Sequence, residues 1–544
     1  MNADLWSSLE PRGGNLAEST RRNQRILQST GTVIVAAMLG RLMGFFREWL
    51  VAHKIGSNAV TDAYYAAFTL PDVVSYLVAG GVLGIIFIPI FTRYIADGKE
   101  HEGWYVFSTI TTFMAIVLLI LIVLGEIFAP QLAPLIAPGF NSVETATVIK
   151  LTRILLPAQV FLCIGGLLVA VQNAKARFVI PALATIIYNF VLIACAWMFV
   201  TRYGITSFAI GLVTGVFIGF FLLQIGAVWR MGGRYTPNLN LRHPGFRLFF
   251  RLALPVMLGL SVDVVDMWVI RWFGSYLLSP SITWLTYGKY LTSIPVAVIG
   301  QAVGTASYPF LARLHAEGNN HALNRVVSAG LKSLILIMLP ISALAIVLSR
   351  PVVYLVFSHT QLGEQDFRAT AAALAVFAVG MFARGALHVV SRGFNAAHDT
   401  ITPAWIGTVF TFLSLPVYWY CVHRWQYLGL AAASSFIGII LVSTLFAFLV
   451  HRAKSTEWPS ILICLGRVLV ASVLGGLVSN WLAHRLELRI RVETFGGALC
   501  ILLIVTAIGF PLILFMSRLL GVKEIKWYLA MMLRVPKKIV LVGG

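Results

Sequence analysis

GGVLGIIFIPIFTRYIADG (80–98) and GQAVGTASYPFLARLHAEG (300–318) carry the same landmarks in the same order: Gly80/Gly300, Gly84/Gly304, Pro89/Pro309, Arg93/Arg313, Ala96/Ala316 and Gly98/Gly318. Matches on either side keep nearly the same register. Met38-Leu39-Gly40 corresponds to Met257-Leu258-Gly259, Trp49 to Trp268, Asn173-Ala174 to Asn395-Ala396, and Pro181-Ala182 to Pro403-Ala404. The chain therefore reads as two copies of one unit, displaced by about 220 residues, a plan typical of membrane carriers.

Composition says what the unit is made of. Of 544 residues, 59% are hydrophobic and only 11% charged, with a mean hydropathy of +0.86. A soluble surface needs roughly 25% charged residues, so soluble and disordered chains are both excluded. A bilayer core asks for about 20 apolar residues per helix. Stretches of that kind fall at 29–52, 60–95, 106–128, 148–172, 178–200, 205–229, 246–274, 281–312, 326–349, 368–393, 402–422, 427–450, 463–483 and 495–518. The expected fold is an all-α polytopic membrane protein of fourteen transmembrane helices. Each repeat unit holds six spans, and an even number leaves both units in the same orientation, so two six-helix lobes are related by a parallel pseudo-two-fold. Two extra C-terminal helices lie outside the repeat.

The corresponding domains are an N-terminal tail (1–28), a first lobe (29–229), a linker (230–245), a second lobe (246–450), the added pair (463–518) and a basic tail (519–544) lying along the headgroups. Forty-one Lys and Arg oppose 21 Asp and Glu, a net charge of +20. In a membrane chain this excess reads as the positive-inside bias, not as affinity for nucleic acid. Its distribution places both termini in the cytoplasm. The polar first 28 residues carry no cleavage site after span 1, so no removable leader is expected. The five cysteines sit in apolar stretches, and no pair has metal-ligand spacing.

Ionisable side chains inside spans are costly and mark function by default. Span 1 holds Arg41, Arg47 and Glu48, span 2 Asp62 and Asp72, span 7 Asp263, Asp266 and Arg271, span 8 Lys289, and span 10 Arg384 and His388. Arg41 and Glu48 are seven apart and share a helical stripe with Gly44. In the repeat register Arg47 falls opposite Asp266. Two readings stand: a basic first lobe for an anionic headgroup facing an acidic second lobe for a cation, or an Arg–Asp pair that closes the cleft. Guanidinium forks suit phosphate. Paired prolines in spans 2 (Pro71, Pro89) and 8 (Pro295, Pro309) predict broken or kinked helices. Glycines at four-residue spacing (80/84, 300/304, 211/215/219) predict close helix contacts.

The stretches GRLMGFFREWLVAHKIG (40–56), TDAYYAAFTLPD (61–72), ALPVMLGLSV (253–262), ITWLTYGKYLTSIPVAVIGQAVGTASYPFLARL (282–314) and FNAAHDTITPA (394–404) resemble the MurJ/MviN family of lipid II flippases, within the multidrug/oligosaccharidyl-lipid/polysaccharide exporter superfamily. The resemblance implies alternating-access transport of a polyprenyl-diphosphate-linked glycan across the bacterial inner membrane. It implies no enzymatic reaction, a monomer, and lipid partners in place of nucleic acid. Family arginines of the headgroup cleft carry over onto Arg41 and Arg47, and a family aspartate onto Asp62. Ser75 and Tyr76 stand where the family has an arginine pair, and Tyr290 where it has another, with Lys289 alongside.

The expected substrate-binding set is therefore Arg41, Arg47, Glu48, Asp62 and Lys289. The resemblance also suggests a sodium site from Asp263 or Asp266 with Asn395 and Asp399, since oxygen ligands suit a hard cation. Asp399 equally fits as the N-cap of the helix that follows. The missing arginines keep another lipid-linked oligosaccharide, such as an exopolysaccharide or O-antigen unit, as the alternative substrate. A cation-coupled small-molecule exporter is the next class, disfavoured by the span 1 arginines. A membrane-embedded enzyme lacks an aspartate-rich diphosphate–metal motif.

Overall fold

The computed structural model describes residues 36, 38–79, 83–258, 262–317, 320–396, 399, 401–452, 458–522, 524 and 525. The expected N-terminal tail and almost all of the interfacial C-terminal tail lie outside these residues. Every regular element among the described residues is helical. In chain order they are α1 (38–54), α2 (Ala59–Ala67), α3 (Thr69–Ala79), α4 (Ile88–Ala96), α5 (Glu100–Ile136), α6 (Ser142–Leu155), α7 (Ala158–Ala174), α8 (Val179–Tyr203), α9 (Thr206–Val216), α10 (Leu223–Arg230), α11 (Pro244–Leu258), α12 (Val262–Gly274), α13 (Ser281–Pro295), α14 (Gln301–Ala316), α15 (Asn320–Val347), α16 (Ser349–Phe357), α17 (Glu364–Val379), α18 (Met381–Ala396), α19 (Ile401–Arg452), α20 (Trp458–Glu487) and α21 (Phe495–Leu519).

Eight of the helical stretches among the described residues are long and apolar enough to cross a membrane. The pair α17–α18, bent by 42° at its break, makes a ninth. The spans expected at 60–95 and 281–312 are divided into shorter helices, and that at 246–274 is described as helices on either side of 259–261. π-Helical turns at Leu83–Phe87 and Val296–Gly300 interrupt the two proline-bearing spans, the second directly after Pro295. Such turns free backbone groups where the helix bends. α19 joins the stretches 402–422 and 427–450 through a single left-handed residue, Gln426 (φ 53°). Each half is about 37 Å long, enough to cross the hydrocarbon core. Large apolar side chains such as Phe190, Trp405, Phe412 and Leu477 are exposed around the bundle, as lipid contact requires.

Helix association in lipid relies on close packing of small residues. A Cβ on Gly215 would lie 2.5 Å from the Tyr188 carbonyl oxygen, and one on Gly219 would lie 2.8 Å from that of Ala184, so α9 and the π turn after it lie directly on α8. Gly300 and Gly304 press in the same way on Gly385 and His388 of α18. The expectation fails at Gly84, where a Cβ would meet nothing within 4 Å. Gly80, the other half of that spacing, lies outside the described residues.

The lobes meet along one end of the bundle. The edge of Tyr65 packs on Tyr287 at 6.2 Å, and Tyr287 stacks on Phe357 at 5.0 Å. At the same end the Gln361 amide donates to the Ala52 carbonyl at 3.1 Å, and the Gly139 amide donates to Ser275 Oγ at 3.1 Å.

Candidate functional site

α1 carries the basic side chains into the bundle. Arg41 is exposed and reaches across to the second lobe, where its Nη2 donates to Gln301 Oε1 at 2.6 Å. No carboxylate lies within ion-pair distance of it among the described residues. Arg47 is half-buried and held on both sides. Its Nη2 meets Glu48 Oε1 at 2.6 Å, and its Nη1 donates to the Tyr188 hydroxyl at 3.0 Å. Tyr65 donates to the other oxygen of buried Glu48 at 2.6 Å. Arg47 and Glu48 thus form a neutral unit inside the first lobe, fixed by one tyrosine at each end. The side-chain oxygen of buried Asn189 has no protein partner, while its amide donates to the Thr185 carbonyl at 2.8 Å. The Tyr290 hydroxyl lies over α1 at Gly44, 2.9 Å from where a Cβ would stand.

Asp62 does something else. It is buried, and it accepts from the Thr283 amide at 2.7 Å, the Thr283 hydroxyl at 2.6 Å and the Ser279 hydroxyl at 3.2 Å. Thr283 lies in the first turn of α13, whose own preceding residue, Pro280, provides no side-chain cap. Asp62 therefore supplies from the first lobe the capping acceptor that the second lobe's helix lacks. These partners are protein groups of the seal between the lobes, so Asp62, expected among the headgroup ligands, is here bonded to the second lobe.

A second link between lobes was not foreseen. Arg271 Nη1 meets Asp72 Oδ2 at 2.9 Å and the Thr69 hydroxyl at 3.4 Å. The edge of Tyr76 packs on Trp268 at 6.0 Å. Both partners of the ion pair stood out in the sequence as intramembrane charges. Their pairing, across 199 residues, left no signal.

Lys289 is also engaged. Its ammonium contacts Asp266, which accepts in addition from the Tyr418 hydroxyl and, at 2.8 Å, from Ser434 Oγ. Asp266 and Arg47, opposite each other in the repeat, are each neutralised within their own lobe and do not pair. Of the expected sodium ligands, the carboxylates of Asp266 and Asp399 each have protein partners of their own. Asp263 lies on α12 one turn before Asp266, and Asn395 lies near the end of α18. Asp399 caps α19, accepting from the Thr402 amide at 3.0 Å and the Thr402 hydroxyl at 2.7 Å. Thr402 and Tyr418 are about 24 Å apart along α19, so the carboxylate of Asp399 and that of Asp266 belong to different levels of the bundle. Among the described residues there is no group of three or more His, Cys, Asp or Glu side chains placed to hold a metal.

A family model described as Lipid II flippase MurJ matches residues 51–495. Similar chains include a probable lipid II flippase MurJ of Vibrio cholerae serotype O1, 23% identical over 487 residues, covering 86% of this chain and 92% of that protein. The lipid II flippase MurJ of Burkholderia cenocepacia is 26% identical over 381 residues, covering 68% and 73%. Among solved structures, a lipid II flippase MurJ in an inward closed conformation aligns with a TM-score of 0.74 at 22% identity, over 92% of this chain and 99% of that one. An inward-facing multidrug resistance MATE transporter aligns with a TM-score of 0.61 at 15% identity, over 78% and 98%. At these identities the structural likeness is one of fold.

Proposed function

This chain belongs to the lipid II flippase MurJ family, and from that premise we propose that it carries lipid II, the polyprenyl-diphosphate-linked peptidoglycan precursor, across the bacterial inner membrane. The substrate leaves chemically unchanged. The Lys and Arg distribution supports cytoplasmic termini, and in that orientation the end sealed by Asp62 and Thr283 faces the periplasm. The molecule is then closed toward the periplasm, one limit of an alternating-access cycle in which the lobes part at that end after loading from the other.

The observation that carries the reading is the state of Arg41. Arg47 is neutralised by Glu48 and Lys289 by Asp266, whereas among the described residues Arg41 meets only the neutral amide of Gln301. A diphosphate arriving between the lobes can replace that amide and take a two-pronged, charge-assisted grip. Arg47, with Tyr188 and Glu48, forms a preorganised wall behind it. Ser75, Tyr76 and Tyr290 stand at positions where the family carries arginines, which supports the alternative that the glycan on the diphosphate is another lipid-linked oligosaccharide.

The test is complementation of cells depleted of their lipid II flippase, paired with a lipid II translocation assay. Arg41→Ala is expected to lose at least about tenfold in transport, as loss of a charge-assisted contact of about 1.5–3 kcal/mol implies, at normal membrane abundance. Arg41→Lys is expected to recover only part, because an ammonium lacks the planar fork. Full activity of Arg41→Ala overturns the assignment. Failure of the wild-type chain to complement, with transport of another diphosphate-linked glycan, selects the alternative.

A further inference from the structure

Asp266 is the meeting point of four membrane segments. Its carboxylate projects from α12 and receives Lys289 from α13, Tyr418 from the first half of α19 and Ser434 from the second half. Its side chain is 10% exposed and that of Lys289 17%. A cavity of about 20 Å³ adjoins the cluster, bordered by Asp266, Ser434 and the guanidinium-bearing Arg384. Arg384 itself donates to the Phe377 carbonyl at 2.9 Å and to Thr292 Oγ1 at 3.2 Å.

A carboxylate with two hydroxyls at membrane depth is the donor set a hard cation takes. A lone buried carboxylate is also too costly to leave without a counter-charge. In a carrier that counter-charge can be an ion exchanged with solution or one built into the chain. Here the position is filled by the Lys289 ammonium, which carries the same unit charge as an alkali ion and satisfies the same oxygens. A second cation on Asp266 would have to displace Lys289 with Arg384 bordering the same cavity.

We propose that Lys289 is a covalently attached replacement for an exchangeable coupling cation: the second lobe carries its own positive charge at Asp266, and sodium or potassium has no part in its cycle. The expected sodium site is thus replaced in kind. Its member Asp266 is already occupied by Lys289, and Asp399 serves α19. The consequence runs both ways. Removal of the ammonium converts the cluster of Asp266, Ser434 and Tyr418 into a site that takes a monovalent cation from solution.

The test uses the purified full-length chain in detergent, with thermal unfolding followed in sodium, potassium and choline chloride at equal ionic strength. It needs no substrate, so its outcome is independent of whether lipid II is the cargo. Wild type is expected to unfold at the same temperature in all three salts. Lys289→Met is expected to unfold at lower temperature in choline and to recover with saturating dependence on sodium, by several degrees at concentrations well above its dissociation constant. Lys289→Met/Asp266→Asn is expected to be blind to the salt and more stable in choline than Lys289→Met alone, since the uncompensated charge is gone. Saturable sodium stabilisation of wild type that Asp266→Asn removes overturns the proposal. So does Lys289→Met behaving as wild type in choline, or a double variant no more stable than Lys289→Met.

Discussion

Asp62 of the first lobe accepts both the backbone amide and the hydroxyl of Thr283, at 2.7 and 2.6 Å, in the first turn of a second-lobe helix. One half of the protein thereby completes the N-terminus of a helix in the other. The contact exists only while the lobes are closed at this end, so its strength bears directly on the closed population. Asp62→Ala removes a capping acceptor, a change of about 1–2 kcal/mol, all of it from the closed state. We expect a cysteine placed at Ser279 to react about tenfold faster with a membrane-impermeant maleimide in the Asp62→Ala background than in wild type. Equal rates would remove Asp62 from the seal.

Arg271 and Asp72 form the second link, with unequal surroundings: the Arg271 side chain is 9% exposed and that of Asp72 41%. Loss of the arginine leaves a carboxylate that water can reach. Loss of the carboxylate leaves a buried guanidinium with Thr69 as its remaining partner across the lobes. The larger penalty follows the group left buried. Asp72→Asn is therefore expected to lower the unfolding temperature more than Arg271→Met does, and the double variant is expected to fall between wild type and Asp72→Asn. The reverse order of the single variants would contradict this account.

Arg47 and Glu48 neutralise each other inside the first lobe, so either alone is a liability. Glu48→Ala is expected to reduce membrane abundance strongly, on the order of the 3–5 kcal/mol typical of a broken buried pair. Arg47→Leu/Glu48→Ala is expected to restore abundance without restoring transport. Immunoblots beside the complementation assay separate the two effects. An additive loss of abundance in the double variant would show that the two charges are not coupled.

Gly215 lies where a Cβ would come within 2.5 Å of the Tyr188 carbonyl oxygen, and the hydroxyl of that tyrosine holds Arg47. Gly215→Ala is expected to cost about 1–3 kcal/mol through overpacking and to reduce transport by displacing Tyr188. Gly226, where a Cβ would meet nothing within 4 Å, is the control. Gly226→Ala is expected to unfold at the wild-type temperature.

The sequence exposed those parts of this design that depend on composition and period. The apolar spans, the internal repeat, the proline-broken second and eighth spans and the Gly211/Gly215/Gly219 stripe all follow from local rules. Asp399 was legible as a cap for the same reason, because the acceptor and its Thr402 partner are three residues apart. The partners of the intramembrane charges were not legible. Whether Arg47 turns to Glu48 or outward, and whether Lys289 faces the cleft or Asp266, depends on the rotation of each helix about its axis and on its neighbours. Asp72 and Arg271 meet across 199 residues, a distance no periodicity spans. The expected headgroup set thus separates into Arg41, which reaches the opposite lobe at an amide, and Arg47, Glu48, Asp62 and Lys289, each tied to a protein group.

The bond from the Gln361 amide to the Ala52 carbonyl fastens the far end of α1 to the second lobe. Eleven residues earlier, about 16 Å along the same helix, Arg41 touches Gln301. With α1 as a lever and Ala52 as its fulcrum, a swing of about 4° would move the guanidinium by roughly an ångström.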